Sequence, residues 1–383
     1  MEKFFYNLKK QPLFFISLFL FLGFSIWWVY INFFLSSATT HDKQLFAACY
    51  QILALFGAII GFLTARHWGG YKSLLGQALV FLSLGLLLQS FGQSVYSYYI
   101  FFKKIEIPYP SIGDIGFFGS IIPYIYGVVI LSRISGTGVS LKKIKNKVWI
   151  FLVPLIILFV VYFFFLRGYE FDWSSKLRIF LDFGYPFGQA IYVSIAILAL
   201  LFSRNFLGGI LKKPIIFLII ALIVQYIADF TFLYQANAGT WYVGGINDYL
   251  YCTSYFLMTL AVIYIGNTFQ KIRSENLATI AVRPEGGSSN DKLFNQILVE
   301  IIKRQTRVGG RLAWEQVRKV RGITINDEET VNVSIAGEPK ETINQLVDNY
   351  RNLFGDIAVE VSKSAVRYLI AELPDDQLPE SLK

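Results

Sequence analysis

The sequence predicts an all-α polytopic membrane bundle of about eight transmembrane helices, built as two parallel four-helix repeats, with a small cytoplasmic α+β domain behind it. Three observations predict this. Of 383 residues, 55% are hydrophobic and only 16% charged, whereas a soluble domain is about a quarter charged. Apolar runs of about 20 residues recur along the first 270 positions, the length that crosses roughly 30 Å of hydrocarbon. The charge is also divided: residues 1–273 hold 21 Lys/Arg against 9 Asp/Glu, and the chain from Ser274 onward holds 14 against 17. The basic excess therefore flanks the apolar runs and the remainder is mildly acidic, which argues against a nucleic-acid partner and for the lipid bilayer.

The spans are expected at about 13–35, 44–65, 77–101, 115–133, 148–166, 179–203, 214–235 and 249–269. With the N-terminus placed in the cytoplasm, 15 Lys/Arg flank the inner ends and six the outer ends (Lys43, Lys103, Lys104, Arg167, Lys176, Arg178). That bias predicts a multi-pass protein of the cell membrane with both termini cytoplasmic. The basic start, Met1 to Lys10, runs into a long span without a small-residue cleavage site, so it reads as a first anchor rather than a removed signal.

The two halves align. Arg66 with Gly69-Gly70 ends span 2, and Arg204 with Gly208-Gly209 ends span 6. Span 3 carries Gln89-Ser90-Phe91-Gly92-Gln93 where span 7 carries Gln225-Tyr226-Ile227-Ala228-Asp229. The last span of each half begins at Ile112-Gly113-Asp114 or Ile246-Asn247-Asp248. Four spans per half give both halves one orientation, a parallel repeat.

Ionisable groups inside a bilayer are costly and mark sites unless they lock the helices together. Asp229 lies deep in span 7, Asp182 one turn into span 6, and Gln89, Gln93 and Gln225 at comparable depth, with Asp114, Asp248 and Tyr185 near the outer ends. These eight residues are the candidate ligand- or ion-binding set, gathered toward the outer face. The alternative role is to bond one another and the backbone freed at Pro123, Pro154 and Pro186. Cys49 and Cys252 lack ligand spacing and read as small packing residues. His41 and His67 are expected in loops on opposite sides, so no metal is expected, and nothing in the pattern calls for a cofactor.

Tyr109-Pro110-Ser111-Ile112-Gly113-Asp114, with Phe117-Phe118 and Pro123-Tyr124 after it, resembles a Pro-Ser-x-x-Asp-x-x-Tyr-Leu pattern and its following Tyr-Pro. That pattern belongs to the multi-span N-terminal sensory modules of some bacterial diguanylate cyclases, phosphodiesterases and histidine kinases. Ala228-Asp229 through Gly239-Thr240-Trp241-Tyr242-Val243-Gly244-Gly245 to Asp248 is similar to the module's Ala-Asp…Gly-x-Tyr-x-x-Gly…Asp stretch, and Tyr185-Pro186 resembles its Tyr-Pro. The resemblance covers about residues 45–270 and implies a sensory role. Pro123 falls one residue late, and Gln189 stands where an acidic residue is expected.

Residues 274–290 read as a linker around Arg283-Pro284-Glu285-Gly286-Gly287. Beyond it, a helix from Leu293 to Arg307 ends at Gly309-Gly310, and a second helical piece spans Leu312 to Val320. Strands are expected at 322–326 and 330–335, then a long amphipathic helix from 338 to 372 bent at Gly355. Arg311, Arg318, Lys319 and Arg321 form a candidate basic face for anionic lipid. No cyclase, phosphodiesterase or kinase signature, phosphate loop or nucleophile–base pair occurs, so residues 291–383 are expected to bind a cytoplasmic protein partner or a second copy rather than catalyse. The function expected is a membrane sensor or signalling adaptor; the alternative is a small-solute or ion transporter using the intramembrane carboxylates.

Overall fold

The computed structural model of the protein describes residues 12–35, 40–137, 144–206, 208–278, 290–371 and 373–383. The basic start and most of the expected linker (279–289) lie outside these residues. Eight described helices are long and apolar enough to cross a membrane: α1 Pro12–Phe34, α2 His41–His67, α3 Leu74–Lys103, α4 Gly113–Ile134, α5 Lys147–Leu166, α6 Lys176–Ser203, α7 Lys212–Asn237 and α8 Ile246–Ser274. Each expected span falls within or against one of them. Span 2 is longer than expected at both ends, so His41 and His67 belong to helix ends rather than loops. Each meets a ring, His41 edge-on to Phe101 and His67 tilted against Phe269.

Six helices close a ring in the order α2-α3-α4-α6-α7-α8, with α8 returning to α2. The first helix of each half stands outside it, α1 against α8 and α5 against α6. The apolar stretch of α5 is only 11% buried where that of α3 is 61%, so the rest of the protein leaves nearly all of the apolar surface of α5 uncovered. Small residues allow the close approaches within the ring. A Cβ on Gly116 of α4 would lie 2.5 Å from the Gly92 nitrogen and the Leu88 carbonyl of α3, so the backbones touch there. α1, α3 and α5 each finish in a wide π-type turn of aromatic residues, at Tyr30–Phe34, Tyr99–Lys103 and Tyr162–Leu166.

Behind α8, the chain forms α9 Asn290–Gly309, α10 Arg311–Val317, strands β1 Ile323–Asp327 and β2 Asn332–Ile335, then α11 Pro339–Phe354 and α12 Asp356–Ile370. The expected 338–372 helix is two helices, because Gly355 takes φ +79°, a conformation that ends α11 outright. The strands pair antiparallel, Ile323 with Ile335 and Ile325 with Val333, with an irregularity before Asp327. Asp327 closes the hairpin by accepting the Glu329 and Thr330 amides; the Thr330 hydroxyl first, then these amides, hold its carboxyl below the usual range. The apolar stripe of α9, Leu293, Ile297, Leu298, Ile301 and Ile302, is buried, and Gln305 fastens α9 to α12 by donating to the Ala358 carbonyl (2.7 Å).

This domain is seated on the bundle. α11 packs against the start of α3 and α12 against the far end of α8. A Cβ on Gly355 would lie 2.6 Å from the carbonyl oxygen of Trp68, the residue between α2 and the Gly69-Gly70 turn. The other glycine turn meets the other helix break: a Cβ on Gly208 would lie 2.8 Å from the Gly310 Cα. There, Ile210 and Leu211 donate their amides to the Arg307 and Val308 carbonyls at 3.0 and 3.3 Å. Leu207, inside that turn, lies outside the described residues. The expected break at Gly309-Gly310 is thus also a docking point.

Candidate functional site

A cavity of about 560 Å³ opens in the ring at the ends of the helices opposite the tail domain. Gln93, on its wall, stands 19 residues along α3 from Leu74 at the tail end, roughly 28 Å at the rise of an α-helix. The volume lies within the ordinary range of ligand sites. Seven of the eight residues singled out from the sequence line it: Asp114, Asp182, Asp229, Asp248, Gln89, Gln93 and Tyr185. The eighth, Gln225, stands behind the wall, donating to Asp229 Oδ1 (3.1 Å) and accepting from the Ser254 hydroxyl (2.7 Å).

Each carboxylate is held by neutral donors. Asp229 Oδ2 accepts the Tyr192 phenol at 2.7 Å and Oδ1 the Tyr251 phenol at 3.0 Å. Asp248 Oδ2 accepts the Gly244 amide at 2.6 Å, and Oδ1 faces the Tyr50 phenol at 3.4 Å. Asp114 Oδ1 accepts the Tyr185 phenol at 2.7 Å and Oδ2 the Ser111 amide at 2.7 Å. Asp182 accepts the Tyr109 and Tyr169 phenols, both at 2.7 Å, with Arg178 Nε at 3.8 Å on the rim. Tyr109 and Tyr169 belong to the loops; burial first, then the Asp182 carboxylate, pushes both phenols up, Tyr169 to about 12. Both therefore stay protonated at neutral pH and remain donors.

The glutamines are positioned rather than free. Gln89 donates to the Ser120 hydroxyl (2.8 Å) and accepts from Tyr255 (3.1 Å), while Gln93 donates to the Ala47 carbonyl (2.9 Å). Gln189, the departure from the sensory-module pattern, is buried on the same wall. Two pairs within the set bond one another, Gln225 with Asp229 and Tyr185 with Asp114, which is one part of the alternative role; most other partners are tyrosines outside the set. The residues missed from sequence are these tyrosines: Tyr50, Tyr192, Tyr251 and Tyr255 each reach across to another helix, and no local spacing sets them apart from the other Tyr residues.

The four basic tail residues lie on and just after α10. All four are exposed, but Arg318 pairs with both Glu315 and Glu328, and Lys319 donates to Gln316 Oε1 at 3.0 Å. Cys49 and Cys252 are free thiols, Cys252 fully buried. Among the described residues no group of three His, Cys, Asp or Glu could hold a metal ion. Compared with protein-family models, curated proteins and solved structures, the chain matches none.

Proposed function

We propose that the protein is a multi-pass membrane sensor or signalling adaptor of the cell membrane, with both termini cytoplasmic. Its cavity faces outward and binds a ligand, and its tail domain carries the state of the bundle to a partner or a second copy. The single observation that carries this reading is the division of the molecule. A cavity lined by four carboxylates occupies one end of a helix ring, and a folded domain is fastened backbone to backbone on the other. The surplus of Lys/Arg at the tail end supports the orientation.

A parallel duplication of the two halves supports the same reading. Gln89 bonds Ser120, six residues after Asp114, and Gln225 bonds Ser254, six residues after Asp248. Tyr185 from α6 reaches the aspartate that opens α4, and Tyr50 from α2 faces the aspartate that opens α8. Each half also offers one glycine turn to the tail. A ligand that draws the halves together or apart would thus move both turns on which the tail sits, the differential contact that such a switch requires. The resemblance of the Tyr109–Asp114 and Ala228–Asp248 stretches to bacterial sensory modules agrees with this role. Against a transporter stands the packing between cavity and tail, where Leu75, Leu79, Leu82 and Trp68 are fully buried.

Thiol accessibility tests the reading in cells carrying Cys49→Ser and Cys252→Ala. A membrane-impermeant reagent is expected to modify Gln93→Cys in intact cells and Arg321→Cys only after lysis. The reverse pattern would overturn the orientation. Reaction of Gln93→Cys from both sides would favour a channel or transporter instead.

A further inference from the structure

We propose that the cavity takes an organic cation, an amine or quaternary ammonium compound, seated between Asp229 and Asp248. This rests on reading the cavity as a ligand site. The argument is electrostatic. Asp114, Asp229 and Asp248 are each at most 6% exposed, and every donor named above to them is neutral. Arg178 is the one cation among the lining residues and stands on the rim beside Asp182. Among the described residues no Lys or His lines the cavity. A buried carboxylate that lacks a counter-charge is neutralised either by a proton or by a cation brought to it.

The walls suit the second route. Tyr50, Tyr96, Tyr251, Tyr255, Phe117 and Trp241 line the space, and aromatic faces attract a desolvated ammonium group. An independent observation points the same way. Asn247, on the cavity wall between the Asp229 and Asp248 segments, is 1% exposed and donates Nδ2 to the Ala228 carbonyl (2.9 Å), yet its Oδ1 has no partner. A buried acceptor of this kind calls for a donor, which an N–H of an amine would supply. Trp241 Nε1, on the same wall, is a donor without a partner and would suit a hydroxyl or carbonyl on the same molecule. The volume and the absence of a metal-holding group among the described residues favour a molecule over a bare ion.

The test uses the full-length protein in nanodiscs with choline, putrescine and spermidine as probes, at matched ionic strength, with glucose and glutamate as controls. At least one cation is expected to raise Tm by about 4 °C at a hundredfold excess over Kd. Asp229→Asn and Asp248→Asn should abolish the rise, while Arg321→Ala keeps it. A readout that does not need those variants is protection: the same cation should slow thiol modification of Gln93→Cys by up to about a hundredfold at that excess. No rise and no protection with any of the three cations would overturn the proposal, as would a rise that survives both Asp substitutions. Acidification that reproduces the rise and leaves no further cation effect would assign neutralisation to the proton and overturn it too. Stabilisation by glucose or glutamate instead would overturn the cation class yet leave the ligand-site reading standing.

Discussion

Gly69 and Gly355 meet backbone to backbone: a Cβ on Gly69 would lie 3.1 Å from the Gly355 Cα, and both residues have positive φ, +91° and +79°. This contact ties the turn between α2 and α3 to the break between α11 and α12. Gly208 and Gly310 make the matching contact on the other half. The two glycine contacts therefore tie the tail domain to both halves of the bundle, beside the packing of α11 on α3 and of α12 on α8.

Gly355→Ala should cost docking of the tail about 2 kcal/mol or more, from a conformation hostile to L side chains and a clash with the Trp68 carbonyl. The control is Gly70→Ala, also at positive φ (+54°) but with nothing within 4 Å, which should cost only about 1 kcal/mol. Limited proteolysis of the tail checks this: cleavage should accelerate in the first variant and hardly change in the second.

Tyr192→Phe should destabilise the protein by about 1.5–3 kcal/mol, since it removes a 2.7 Å hydrogen bond to a buried carboxylate and replaces it with nothing. Thermal unfolding in detergent reads the loss. An unchanged Tm would mean that Asp229 does not depend on this phenol.

Gly116→Ala forces a methyl group against the α3 backbone at Gly92 and Leu88, where no side chain can rotate aside. A loss of about 1–3 kcal/mol is expected. Gly23→Ala on α1 meets nothing within 4 Å and should be neutral or gain up to about 1 kcal/mol from helix propensity. Paired denaturation curves decide between the two.

Arg318→Ala should change stability by less than about 1 kcal/mol, because its ion pairs with Glu315 and Glu328 are partly exposed and screened by salt. Should anionic vesicles bind the wild type and the variant equally, Arg318 serves the tail's own structure rather than the bilayer.

Much of this was readable in the sequence because membrane-length apolar runs and carboxylates within them are strong local signals. The eight spans and the cluster of Asp114, Asp182, Asp229 and Asp248 needed only spacing and depth. The donors did not show. Tyr50 reaches Asp248 across 198 positions, and in a chain with 23 Tyr nothing local separates a carboxylate partner from an interfacial ring. Gln225 shares the helix face of Asp229, four residues on, but lies one turn away behind the lining, a difference of depth that spacing along the chain does not resolve. Gly310 was legible as a helix break and Gly355 as a bend, but neither as a seat for Gly208 or Gly69, since those contacts join segments far apart along the chain.

The central claim is that the cavity and the tail are coupled through the two glycine seats. Hydrogen exchange at the Ile210 and Leu211 amides, which donate to Arg307 and Val308 across one seat, tests it most directly. In the Cys49→Ser, Cys252→Ala background, Gln93→Cys is loaded with a bulky ammonium thiol reagent to fill the cavity whatever the natural ligand. Coupling predicts that exchange at Ile210 and Leu211 changes severalfold when the cavity is filled; a filled cavity with exchange at both amides unchanged would contradict it.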